Sequence, residues 1–148
     1  MLAVKTYSQS YIDTCRSRIE VQLAAYDKLL AAAGSDPSVP AVVDAFEAPF
    51  LHNLILVLDA SFAHRTRAVE GKDGNPINEV RMLAASILQH DGVLAADKTI
   101  RYQPGTSVLG HAVGDEIRVD RDGFGRLSDA YFAEIERRFA EEASTTSQ

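Results

Sequence analysis

Residues 64 to 81, HRTRAVEGKDGNPINEVR, concentrate the side chains of this chain that could do chemistry. Arg65, Arg67, Lys72 and Arg81 interleave with Glu70, Asp73 and Glu79, and His64, Asn75 and Asn78 complete the set. The chemistry that suits such a set is the capture of a small anion, a phosphorylated one included. Arginine forks match phosphate oxygens in pairs. The stretch EGKDGNP precedes a helix start, where free N–H groups and the helix dipole attract negative charge. Glu70 or His64 would move protons. The ligand-binding candidates are therefore His64, Arg65, Arg67, Glu70, Lys72, Asn75, Asn78 and Arg81. Three features weigh against the idea. The spacing is not that of a phosphate-binding P-loop, no strand precedes the loop, and Pro76 removes one N–H donor. Glu70, Asp73 and Glu79 also suffice to neutralise the arginines from within. A structural junction of Arg–carboxylate pairs around a turn fits the same residues. A binding site requires Arg67 and Arg81 to point into one cleft with unmatched charge. A junction requires each to be taken up by Glu70, Asp73 or Glu79.

Other chemistries find less support. The histidines His52, His64, His90 and His111 form no His-x₃-His or Glu-x-x-His pair, the spacings that put two ligands on one helix face. His52 and Asp59 share a face, but seven residues separate them by about 10 Å along a helix. No metal and no cofactor is expected. Asp59 follows the apolar run LILVL at 54–58, and a carboxylate there needs a partner. It is the structural ion-pair candidate, with Arg16, Arg18 or Arg81 as the cation. Ser61, Asp59 and His64 crowd one helix without a Gly-x-Ser-x-Gly elbow, so a Ser/His hydrolase is not indicated. Cys15, at helical spacing from Ile12 and Ile19, reads as a small buried apolar residue.

The elements that must position these residues are helices. Ile12, Cys15, Ile19, Leu23, Tyr26 and Leu30 recur at three- and four-residue steps and predict a helix over 7–33, ended by Gly34. A loop with Pro37 and Pro40 follows. A second helical region runs from about Pro40 to Ala68. Pro49 either starts a new helix within it or interrupts a single one. From Phe50 to Phe62 apolar residues lie on nearly all sides, the mark of a central helix. Asn75 and Pro76 read as the cap and first residue of a third helix. Its inner face is Ile77, Val80, Leu83, Ala84, Ile87 and Leu88, and Gly92 is its stop. Between 98 and 120, Ile100 and Tyr102 alternate with Arg101 and Gln103, and Ile117 and Val119 with Arg118 and Asp120. Period two predicts short strands, with Gly114-Asp115 as a tight hairpin turn. A last helix over 124–141 carries Phe124, Leu127, Tyr131, Ile135 and Phe139. The expected fold is mainly α, a bundle of four main helices with a small two- or three-stranded β excursion between the third and fourth. Residues 1–141 form the single domain and 142–148 a disordered tail.

Composition narrows the class. Hydrophobic residues make up 46% of the 148 and charged residues 24%, the balance of a globular chain. Residues 64–81 hold four Lys/Arg against three Asp/Glu, a net +1 within a chain of net −6, leaving −7 elsewhere. Such a balance offers neither nucleic acid nor an anionic membrane an attractive surface. One cysteine excludes an intrachain disulfide, and the first ten residues lack a secretory apolar core, so a cytoplasmic setting is expected. The longest uninterrupted aliphatic run is five residues, well short of the roughly 20 that span a bilayer. No catalytic motif is present. The leading reading is a non-enzymatic binding or homo-oligomeric interaction module, a possible homodimer covering surplus apolar surface. The alternative is an enzyme or sensor for a small anionic ligand at 64–81.

Overall fold

The computed structural model describes residues 3–141, which are mainly helical; the tail expected at 142–148 lies outside them. Four long helices are α1 (Gln9–Ala33), α2 (Val39–Ser61), α4 (Pro76–Gln89) and α5 (Arg121–Phe139), with a single turn, α3 (Arg67–Glu70), between α2 and α4. Local chemistry fixes most of their ends. The Ser8 hydroxyl accepts the Tyr11 N–H and opens α1, and Gly34 closes it at φ +62°. Asn75 accepts the Asn78 N–H and Asp120 the Gly123 N–H, opening α4 and α5. The Ser86 carbonyl collects the N–H groups of His90 and Gly92 at the end of α4.

Pro49 lies inside α2, so 39–61 is one helix. It stops seven residues short of the expected Ala68, because other partners take up the carbonyls beyond it. Tyr11 donates its hydroxyl to the Ser61 carbonyl at 2.5 Å, Arg65 Nη1 donates to that of Phe62 at 3.0 Å, and the Val4 N–H donates to that of His64 at 2.7 Å. The second half of α2 is the centre of the fold, packed chiefly on α4 and α5. Its Leu51, Leu54, Ile55 and Leu58 meet Ile77, Val80 and Leu83 of α4 and Phe124, Leu127, Tyr131, Ile135 and Phe139 of α5 in one buried core. The expected inner face of α1 is buried except for half-buried Leu30, whereas Leu88 of α4 faces out.

No strand occurs among the described residues, so the expected β excursion is not formed. The alternation at 98–120 records burial rather than pairing: Ile100, Ile117 and Val119 go into the core while Arg101, Arg118 and Asp120 stay exposed. No bridge joins the two segments to each other. Residue 101 bridges Asp73 and residue 116 bridges Val93, one contact each. Between them Pro104 starts a 3₁₀ turn (Pro104–Thr106), and the Glu79 carboxylate then takes the N–H groups of Val108 and Leu109 at 2.7 and 3.0 Å. Donors that a ladder would need are spent on a side chain. The tight turn falls at Ala112–Asp115, with Gly114 at φ +96° as its third residue. Glu79→Ala should therefore loosen this loop. The Val108 and Leu109 amides are expected to exchange at least tenfold faster, with about 1–3 kcal/mol lost from stability. Hydrogen exchange reads the first effect and urea unfolding the second.

Candidate functional site

The junction between α2 and α4 is organised around one carboxylate. Glu70, the last residue of α3, is fully buried, and Arg65 is 5% exposed. Arg65 Nε lies 2.5 Å from Glu70 Oε2, and its Nη2 lies 3.1 Å from Asp59 Oδ1. The other oxygen of Glu70 accepts from Arg81 through Nε at 3.1 Å and Nη2 at 2.7 Å, and faces Arg67 Nε at 3.0 Å. Arg67 also donates to the Thr99 hydroxyl at 2.7 Å. Burial works against the Arg65 charge, but the carboxylates of Glu70 and Asp59 outweigh it and hold the guanidinium above its ordinary value. Arg81 is pulled below its own, by burial first and by Arg65 second. Asp97 reaches Arg67 through the shared Thr99 hydroxyl. Hydrogen bonds from Thr99 lower its carboxyl, and Arg67 and Arg81 add to the effect.

Arg67 and Arg81 thus converge as a binding site would require, yet they converge on Glu70. Asp59 lies against Arg65 rather than Arg16, Arg18 or Arg81, and Arg16 reaches across to Glu136 of α5. The remaining candidates go elsewhere. Asn75 and Asn78 are buried and knit the 70–75 turn. Asn75 Nδ2 donates to the Glu70 carbonyl at 2.7 Å, and Asn78 Nδ2 donates to those of Gly71 and Asp73 at 3.2 and 2.8 Å. His64 and Lys72 are exposed. Of eight candidates, four form the ion-pair cluster, two hold the turn, and two stand in solvent.

Two contributors from α5 carry no signal near 64–81. Arg138 donates to the carbonyls of Val69 and Glu70 at 3.2 and 3.0 Å and pairs with Glu134. Tyr131 is fully buried beneath the cluster, its hydroxyl donating to the Leu58 carbonyl at 2.9 Å. Burial pushes that phenol far above its ordinary range. Among the described residues no three His, Cys, Asp or Glu side chains are placed to share a metal ion. His52 sets its Nε2 3.1 Å from the Ile117 carbonyl, and His111 Nε2 accepts the Arg118 N–H at 3.1 Å. Both line an open cleft of about 560 Å³.

A second candidate surface is apolar. Beyond the core, the end of α1 and the start of α2 run on as a two-helix arm. By length and composition α2 is apolar enough to cross a membrane, yet only 22% of its most apolar 18 residues is buried. Val42 is 67% exposed, Leu29 61% and Phe46 48%. Leu29 and Phe46, with Gln22, Ala25, Tyr26 and Phe50, line a dent of about 250 Å³. Its floor is aromatic: Phe50 lies 5.3 Å from Tyr26 and 5.2 Å from Phe46 between ring centroids. Sequence periodicity marked 50–62 as central but did not show that residues 39–49 of the same helix lie outside the core. No family model, curated protein or solved structure matches this chain.

Proposed function

We propose that this chain is a non-enzymatic interaction module whose working surface is the apolar face of the α1–α2 arm, acting in the cytoplasm. The observation that carries the reading is the exposure of Val42 and Phe46 on the most apolar helix of the chain, with exposed Leu29 of α1 beside Phe46. Contiguous apolar surface is costly to leave in water, at about 25 cal/mol per Å², and on soluble proteins it marks a contact site. The polar junction supports the same choice by default. Glu70 engages all three arginines and Asp59 engages Arg65 as well, so these cations are taken up within the protein rather than held ready for an anion.

The test uses a photo-crosslinking amino acid placed at position 46 of the full chain in living cells, with position 90, exposed at the end of α4, as the control. A protein adduct from position 46, absent from position 90 and lost on Leu29→Lys, is the expected result. Phe46→Lys gives up the stacking on Phe50 and should lower the unfolding free energy by no more than about 1.5 kcal/mol, with the fold kept. Equal adducts from both positions, or none from position 46, would overturn the proposal.

A further inference from the structure

We infer that a polar cleft beside the junction binds a small anion, whose doubly charged oxyanion group, a phosphate or a dicarboxylate, is held by Arg101 and Arg137. The inference is independent of the apolar arm. The cleft holds about 460 Å³, the size of an ordinary small-molecule site. Its walls are the 73–76 turn at the start of α4, the 101–106 loop, and the last two turns of α5.

Charge selects the ligand. Arg101, Arg137 and Arg138 line the cleft against Asp73 and Glu134, three cations to two anions, on a chain of net charge −6. Both carboxylates are already engaged. Glu134 serves Arg137 and Arg138 together. Asp73 accepts from Asn75 Nδ2 at 3.0 Å and faces Arg138 Nη2 at 3.8 Å. Arg138 is committed too, through Nε to Glu134 and through Nη1 to the carbonyls of Val69 and Glu70. Arg137 gives Glu134 only its Nη2 and is 65% exposed, so its other N–H groups are open. The Arg101 guanidinium is exposed and meets no carboxylate among the described residues. At the junction, by contrast, every arginine lies on Glu70. Two guanidinium forks with open N–H groups suit the paired oxygens of a phosphate or carboxylate.

The backbone under Arg101 is fixed in advance, which lowers the ordering that binding must impose. Its N–H donates to the Lys72 carbonyl at 2.7 Å. Gly74 lies against the same segment, so close that a Cβ there would stand 3.2 Å from the Tyr102 Cα. The start of α4 adds the positive end of its dipole. It adds little else, because Pro76 has no N–H and those of Asn78 and Glu79 go to Asn75. The side chains must therefore do the holding. Outside the cleft the chain sums to −7, which repels an extended polyanion and leaves a small one as the ligand.

Thermal unfolding of the full chain tests the inference, followed by circular dichroism in rising sodium phosphate, sodium malonate and, at matched ionic strength, sodium chloride. Phosphate or malonate is expected to raise Tm beyond the effect of chloride, by mass action on the folded state. Arg101→Ala and Arg137→Ala should each raise the half-saturating concentration at least about tenfold, the size of one charge-assisted hydrogen bond. Neither should move the Tm in chloride by more than about 2 °C, as for exposed residues. Arg67→Ala should leave the response to the anion intact. The larger of the two responses assigns the group as phosphate or dicarboxylate. A Tm that follows ionic strength alone overturns the site. So does a response that survives both substitutions, since general exclusion of these salts from the protein surface would act that way. A response abolished by Arg67→Ala and not by Arg101→Ala places the anion at the junction and overturns it as well.

Discussion

Glu70→Gln is expected to cost about 3–5 kcal/mol, much of the 5–15 kcal/mol that holds a typical domain folded. The reason is geometric. Arg65 is buried, its shortest ionic contact is the 2.5 Å one to Glu70, and Arg67 and Arg81 close on the other oxygen of that carboxylate. An amide in its place keeps the shape but leaves a buried guanidinium with only Asp59, itself about one-third exposed, as its anion. Urea unfolding followed by circular dichroism measures the loss, and a change under about 1 kcal/mol would show that the cluster is not organised around Glu70. A companion variant separates charge from packing. Arg65→Met with Glu70→Leu removes both ions together and should recover much of the loss, because a buried pair often does no better than apolar side chains of similar volume.

Phe62→Ala is expected to rank with it, at about 3–5 kcal/mol. Phe62 is fully buried where α2 ends, and four rings surround it. Tyr7 and Tyr11 meet it edge-on at 4.9 and 5.6 Å between centroids, Tyr131 lies at 6.0 Å and Phe132 at 6.2 Å. Those rings come from α1, from the segment before it, and from α5, so one side chain ties three parts of the chain together. The cavity left behind cannot collapse without moving a helix end that hydrogen bonds from Tyr11 and Val4 hold in place. Thermal denaturation should show a fall in Tm on the order of 10 °C. A fall of one or two degrees would mean that the surrounding rings close the gap.

The parts of this fold that can be read from residues alone are those with local causes. Asn75 before Pro76 announced the start of α4, and Gly34 the end of α1, because caps and left-handed stops are decided within a few residues. The face of α5 was plain from period alone. The end of α2 was not, since it depends on Tyr11 and Val4, some fifty and sixty residues away. Alternation at 98–120 was real but misleading: two buried isoleucines need a core, not a partner strand. At the junction, the near balance of charge within 64–81 pointed to internal pairing. The identity of the pairs was hidden. Asp59 pairs with Arg65, six residues on and past the helix end, where helical spacing gives no guide. Arg138 arrives from the far end of the chain. Composition marked α2 as apolar, but only the packing shows which half of it is covered.

The proline inside α2 divides that helix in a way its continuous backbone conceals. Proline has no N–H, so the Ala45 carbonyl, four residues back, has no helical donor. The break falls where the core ends: Leu51 and the residues after it are clamped, whereas the turns before Pro49 lean on α1 and are tied to α5 through the Glu47 carboxylate, which accepts the Arg121 N–H. Amides of the two halves therefore belong to different opening events. Those at 54–58 are released by global unfolding, those at 41–47 by local fraying of the arm, at a lower free energy. The arm can yield and re-form against a partner while the core remains closed.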